Sequence, residues 1–306
     1  MGHGLLSAAA QAATALAGNG GAWNASARAA ALAGLERTGL PGSKDEDWRF
    51  TPITSLDRAW NPAPRSTVEN VEHGLEGLDA VEILLVDGWL APVPDLPDGV
   101  SLVRGGADVE FPGEEFDKAR AFEALNLASA PEPFVLQVDG VVERPIHIVH
   151  ASTDTGEPKV ASPCFRIEVG RSAQLTLVED HVGESGDLVN QRVELRAAAN
   201  ARVEWTRLVR TGAELSQIAS MRIRQERDSV VRVQAMTLGG ALVRHDVTVD
   251  LDGENAECAL HGLVVGEGRQ VADNHSVIRH RAPRARSTEH FRTVLDGRSR
   301  AVFAGR

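Results

Sequence analysis

The stretch Leu242-Val243-Arg244-His245-Asp246-Val247-Thr248-Val249-Asp250-Leu251-Asp252-Gly253 decides how this chain is read. Val243, His245, Val247, Val249 and Leu251 recur at every second position, so an extended backbone places them on one face. Phe165, Ile167 and Val169 repeat the pattern before Gly170. Turn signals follow at Gly170, Glu184 (within GESGD), Ala199, Gly212, Arg227, Gly240, Gly253 and Glu267, at intervals of 14, 15, 13, 15, 13, 13 and 14 residues. Such even spacing suits a hairpin sandwich, or a solenoid in which two strands and their turns make one coil. Asn-Gly and Asp-Gly pairs, the usual hairpin turns, are scarce after residue 180, with Asp252-Gly253 and Asp296-Gly297 the exceptions. Five Trp, eight Phe and no Tyr are few aromatics for a sandwich of this size. A solenoid buries its side chains between stacked coils and needs no aromatic centre. The expected fold is mainly β: a parallel β-helix over residues 131–306, behind an α-helical or mixed N-terminal region over residues 1–130.

Outward from that stretch, the front of the chain reads as helix. Residues 5–17 are strong helix formers and stop at Gly18-Asn19-Gly20-Gly21. Residues 25–37 form a second helix behind a cap at Asn24, ended by Gly39 and Pro41. Ser43 and Glu46 have capping-box spacing and open a short helix that Pro52 closes. Residues 57–80 read as a connecting segment, and Val81–Val86 as a buried strand ending at Asp87-Gly88. Over residues 114–130, Phe116, Ala119, Phe122 and Leu125 fall at helical spacing, and Pro131 ends the helix.

The 306 residues carry a net charge of −11, with 42% hydrophobic and 25% charged residues. That is enough apolar material for a sizeable core and too little charge for a disordered chain. The acidic total argues against nucleic acid as a partner. Only Lys44, Lys118 and Lys159 are lysines among the 32 basic residues. Eight arginines lie between Arg279 and Arg306 against Glu289 and Asp296, so the run RHRAPRARSTEHFR offers itself to an acidic partner or phosphates. The plainer reading is a solvated face. No apolar run is long enough to span a membrane, and no Lys or Arg precedes Arg28 as a secretory n-region would require. The expected compartment is the cytoplasm.

Cys164 and Cys258 lie far apart, and no C-x-x-C pair is present to hold zinc or an iron–sulfur cluster. There is no P-loop, no H-E-x-x-H and no G-x-S-x-G elbow, and Gly266-Glu267-Gly268 is a turn. Asp246, Asp250 and Asp252 read as strand-face charges. No catalytic residue is assigned. Two residues remain as metal candidates, Cys258 and His275. Cys258 and His261 are three apart and point to opposite faces, so joint ligation is poor and a small buried thiol is the simpler role. Asp273 and His275 are two apart and share a face, as a carboxylate–imidazole pair requires. His280 faces away, and further ligands would have to come from other coils or a partner. The bland alternative is an exposed polar strand. Trp48 reads as a packing anchor.

Several motifs, in order, carry a family resemblance. Gly39-Leu40-Pro41 and then Lys44-x-Glu46-x-Trp48-Arg49-x-Thr51-Pro52 resemble the N-terminal signature of the SufB/SufD family, on its SufD branch. Leu85-Val86-Asp87-Gly88 with Leu96-Pro97, and Phe122-x-Ala124-Leu125-Asn126, are similar to the segments that follow. Residues 171–179 resemble the first core strands. Gly239-Gly240-Ala241-Leu242-Val243-Arg244, Leu251-x-Gly253 and Leu260-His261-Gly262-Leu263 resemble the middle of the core. His275, His280, Ser287 and Val302-Phe303-x-Gly305 fit the approach to its last part. The resemblance implies a right-handed β-helix and a non-enzymatic scaffold for iron–sulfur cluster assembly in the SUF system. It also implies a SufB-like paralogue and a SufC-like ATPase as partners, no cofactor bound by this chain alone, and a nascent iron–sulfur cluster on the assembled complex. The family continues past the position of Arg306 with further strands and a Cys-Ser-His-Gly stretch, so a core truncated at its C-terminal end is expected and no cluster-site histidine is carried over. A β-helix carbohydrate-active enzyme, a polysaccharide lyase or hydrolase, is the alternative by fold analogy.

Overall fold

Ser172, Asn200, Asp228, Asn255 and Arg284 are non-glycine residues with φ between 58° and 68°, and each follows the last by 27–29 residues. Left-handed backbone is tolerated best by Asn and Asp, which supply three of the five. Their side chains bond up the column: Asn200 Nδ2 to Ser172 Oγ at 3.4 Å, Asn255 Nδ2 to Asp228 Oδ1 at 2.9 Å and Arg284 Nε to Asn255 Oδ1 at 3.1 Å. A second column contains Gly183, Gly240, Gly268 and Gly297, all at positive φ. These two columns are the corners of a solenoid. The regular turn signals in the sequence alternate between them, which is why two intervals make one coil.

The computed structural model describes residues 3–18, 25–66, 75, 77–105 and 116–306. Between the corners run two parallel sheets. One stacks Phe134–Val138, Cys164–Val169, Leu188–Ala197, Ser216–Gln225, Leu242–Leu251, Val271–His280 and Arg300–Gly305; Val100–Arg104 pairs antiparallel at its first edge. The other stacks Val81–Val86, Ile146–Ala151, Gln174–Val182, Arg202–Val209, Val230–Thr237, Glu257–Gly266 and Arg286–Leu295. The chain is thus a parallel β-helix of about six coils preceded by helices. Both sheets take a strand from before residue 131: Val100–Arg104 edges the first, and Val81–Val86 pairs parallel with Ile146–Ala151 in the second. Coils approach so closely at Gly253 that a Cβ there would lie 1.9 Å from the Arg227 nitrogen of the coil before it. Glycine alone fits.

Inside, Phe134, Leu136, Phe165, Ile167, Val193 and Leu195 of one sheet meet Ile146, Ile148, Leu177, Val203 and Trp205 of the other. Outside, helices α1 (His3–Gly18), α2 (Ala25–Thr38) and α3 (Ala121–Ser129) lay Leu5, Ala31, Leu35, Phe122 and Leu125 over Val160, Cys164, Leu188, Ile218 and Leu242. The first sheet is therefore apolar on both faces where the helices cover it. Arg28 donates to the carbonyls of Ala128 and Ala130 at 3.2 and 2.5 Å, satisfying acceptors at the end of α3. Asn126 Nδ2 bonds the Asn190 carbonyl at 2.7 Å, and Asn190 Nδ2 returns a bond to Phe122 O at 2.9 Å.

α2 ends as expected at Gly39, φ +69°, whose N–H reaches Leu35 O at 2.7 Å. The cap expected at Asn24 and the stop at Asn19-Gly20-Gly21 lie outside the described residues. The capping box does not form. Asp45 accepts from Gly42 N at 2.8 Å and pairs with Lys118 at 3.0 Å, and only the single 3₁₀ turn Glu46–Trp48 follows. One tight turn leaves no set of free amides for Ser43 and Glu46 to share. The helix expected over 114–130 starts later, because Asp117 caps a 3₁₀ turn by accepting from Arg120 N at 3.0 Å. Phe116 is buried ahead of it, and residues 114–115 lie outside the described set. The segment over 57–80 carries a two-residue strand, Asn61–Pro62, beside Lys159–Ala161. No helix among the described residues is long and apolar enough to cross a membrane.

Candidate functional site

Alternation delivers polar residues into the solenoid as faithfully as apolar ones. Leu175, Leu177, Glu179 and His181 share the inner face of one strand. Ile146, Ile148 and His150 do so one coil below, and Val203, Trp205, Arg207 and Val209 one coil above. Glu179 is 0% exposed and Arg207 1%. The two oxygens of Glu179 have separate partners. Oε2 accepts from Arg207 Nε at 2.7 Å and Trp205 Nε1 at 3.1 Å. Oε1 faces His150 Nε2 at 3.1 Å and His181 Nε2 at 3.3 Å, and accepts from Gln191 Nε2 across the interior. Arg207 Nη2 closes the ring on Gln191 Oε1 at 2.6 Å. The imidazoles of His150 and His181 are in register and stack with centroids 4.3 Å apart and planes 5° apart.

Burial alone would raise the Glu179 carboxyl; Arg207 and the two imidazoles override it and hold the group well below its ordinary range. Burial, reinforced by His150, pushes His181 down to about 4, so its ring is neutral at pH 7. His245, facing the same interior, is likewise lowered, first by burial and then by Arg207 and His181. A neutral imidazole is the form that ligates metal. Among the described residues, the ligand atoms of His150, Glu179 and His181 all lie within 4.8 Å of one another.

A second cluster sits on the outer face of the first sheet, under the N-terminal cover. Asp273 and His275 meet as their spacing predicts, with Nε2 to Oδ1 at 2.9 Å. They are not on an open strand. Asp273 is buried, His275 half-buried, and Arg244 from the preceding coil reaches across with Nη1 to Asp273 Oδ2 at 2.9 Å. Arg244 also donates to Thr51 Oγ1 at 2.7 Å and Asp47 O at 2.8 Å, and clasps Asp246 with bonds of 2.9 and 2.7 Å. Its guanidinium lies 3.8 Å over the Trp48 ring, which stacks on Phe122 at 5.0 Å. Trp48 is the packing anchor that the sequence suggests. Burial would raise Asp273, yet His275, Arg244 and Thr51 lower it. This cluster pins the N-terminal cover to the coils.

Cys258 lies in the inner apolar core, in register between Val231 and Ser287, and His261 is exposed on the other side. Burial pushes the Cys258 thiol up to about 12. Cys164 faces the helices, and burial raises it to about 12 as well. Both are protonated at neutral pH, which makes them poor nucleophiles. Arginines of the basic run lean back one coil: Arg279 and Arg281 to Asp250 at 3.4 and 2.8 Å, Arg284 to Glu254, and Arg286 to Glu257 at 3.8 Å. The outer carboxylates they meet are bound into inter-coil pairs rather than gathered as a catalytic set.

Comparison with known proteins follows the same outline. A family model described as SUF system FeS cluster assembly, SufBD core domain, matches residues 150–306. The chain is 23% identical over 285 residues to the iron–sulfur cluster assembly protein SufD of Escherichia coli, covering 89% of this chain and 66% of that one. It is 29% identical over 297 residues to the chloroplastic protein ABCI7 of Arabidopsis thaliana, covering 89% and 62%. An iron–sulfur cluster assembly SufBD family protein of Synechocystis is 24% identical over 304 residues, covering 87% and 65%. The chain thus spans about two thirds, or slightly less, of the length of these relatives.

Proposed function

The chain belongs to the SufBD family of iron–sulfur cluster assembly proteins, and from that premise we propose that it serves as a SufD-type scaffold subunit. In this reading it performs no catalysis by itself. It pairs with a SufB-type paralogue and a SufC-type ATPase in the cytoplasm, without nucleic acid or membrane as partner. The observation that carries the proposal is the match of the family model to residues 150–306, which hold most of the stacked coils. The cluster is cargo: iron and sulfur meet on the assembled complex, with ligands supplied in part by the paralogue. The state of the two cysteines supports this division, since thiols buried and held near 12 are poor thiolate ligands.

Co-expression of the tagged chain with SufB-type and SufC-type proteins of the same genome tests the reading. A stable complex that accumulates an iron–sulfur chromophore when given iron and sulfide is expected. A chain that elutes alone while the other two associate would overturn it. Replacing Cys258 with Ala is expected to leave the yield of chromophore unchanged. His275→Gln should do the same provided the cover stays docked, as measured by hydrogen exchange.

A further inference from the structure

The geometry points to a binding site for a first-row divalent cation inside the solenoid, built by His150 Nε2, His181 Nε2 and Glu179 Oε1. Its chemistry is that of zinc, cobalt or ferrous ions: two imidazoles and one carboxylate, a set too rich in nitrogen for calcium or magnesium. The inference stands on the inner network alone and is independent of the scaffold reading.

Three observations carry it. The carboxylate oxygen lies 3.1 and 3.3 Å from the two imidazole nitrogens. A tetrahedral shell with metal–ligand bonds of about 2.1 Å sets its ligand atoms about 3.4 Å apart, so the carboxylate-to-imidazole spacings fit. The two imidazoles, now stacked with planes 5° apart, must turn about their side-chain bonds to converge on one ion. Next, Glu179 is oriented from behind. Arg207 and Trp205 occupy Oε2, which leaves Oε1 to the imidazoles and to the Gln191 amide, the donor that an entering ion would displace. The last observation is a pair of buried polar atoms at the same place that have no hydrogen-bond partner among the described residues, His150 Nδ1 and Gln217 Oε1. The Gln217 amide nitrogen sits 3.0 Å from His181 Nδ1 and 3.1 Å from its Nε2, a contact the turning ring would give up. Rotating that amide by half a turn presents its oxygen to the Nδ1 proton, the support a ligating histidine requires. Metal binding would then hold both imidazoles through Nε2. Arg207 keeps its charge on the far oxygen and tempers the affinity, so the site should exchange its ion.

The test uses the 306-residue chain with any affinity tag removed, stripped by chelator and titrated with cobalt(II), read by visible ligand-field absorption and equilibrium dialysis. A parallel sample is refolded with cobalt or zinc present and assayed by elemental analysis. One ion per chain is expected, with at least tenfold weaker binding in His150→Gln and in His181→Gln and no change in His275→Gln. Circular dichroism reports whether each variant is folded. No uptake by the native chain under either regime overturns the proposal, whatever the variants do. So does uptake that is unchanged in the folded double variant H150Q/H181Q.

Discussion

Two clusters in this molecule use the same parts, an arginine, a carboxylate and imidazole, in opposite surroundings. The inner one joins Arg207, Glu179, His150 and His181 within the coils, where all four side chains are buried. The outer one joins Arg244, Asp273 and His275 beneath Trp48 and Thr51, with His275 half-buried and Asp246 reaching the surface. Inside, every charge has had to be matched by another, because desolvation of a lone ion exceeds what any single hydrogen bond returns. Outside, the same ion pair works as a clasp between two layers, and the aromatic face of Trp48 takes part of the solvating role. A polar group in the coil interior therefore acts on the fold of the coils, and one on the sheet's outer face acts on the docking of the cover.

The sharpest way to break that contrast is Arg207→Met. It strands a buried carboxylate and is expected to destabilise the chain by about 3–5 kcal/mol in urea unfolding, with most of the loss recovered when Glu179→Gln is added. Acid separates the clusters next. His181 in the metal-free folded chain has its pKa lowered from 6.5 to about 4, so between those values the unfolded state binds more protons. Its contribution is present in full above pH 6.5 and lost as the pH falls toward 4. The loss should be on the order of 2–3 kcal/mol and should flatten in His181→Gln. Asp273 is lowered from 3.8, so its contribution persists down to that pH and fades only below it. Arg244→Ala follows, with an expected loss of about 2 kcal/mol. Hydrogen exchange should rise over residues 45–52, while the amides of Gln174–Val182 keep their protection. The smallest effect belongs to a pair in neither class. Arg232 and Glu204 bridge adjacent coils on the exposed face, and Arg232→Ala should shift stability by about 0.5 kcal/mol or less.

The same contrast explains what could be read beforehand. The solenoid was legible because its corners recur evenly: the turn signals at Gly170, Ala199, Arg227 and Gly253 fall one or two residues before the left-handed positions Ser172, Asn200, Asp228 and Asn255. The Asp273–His275 pair was legible because its members are two residues apart. Burial of that pair was not, since it depends on Trp48 and Thr51 arriving from far along the chain. The inner network escaped for a different reason. Its members lie on three strands of one sheet and, through Gln191, on the sheet opposite. A reading that counts apolar alternation passes over Glu179 and His181. Yet both are in phase with Leu175 and Leu177, and a polar residue in phase with core positions is the signal that would have found them. The capping box at Ser43 misled because the spacing was right but the segment is a single 3₁₀ turn.

One property of the stacked coils reaches beyond this chain's own stability. Charge pairs recur at the coil interval: Lys159 with Asp187, Arg166 with Glu194, Glu204 with Arg232, Asp250 with Arg279 and Glu257 with Arg286. Neighbouring coils are thus joined by charge pairs at several places around the coil, and length becomes a quantity that changes in whole units. Gaining or losing about 28 residues adds or removes a coil and leaves the remaining registers intact. Gaining or losing one residue within a strand turns every following side chain inside out, sending Glu179-like groups to solvent and leucines with them. Descent in such a molecule is expected to proceed by repetition, with single-residue insertions confined to the corners.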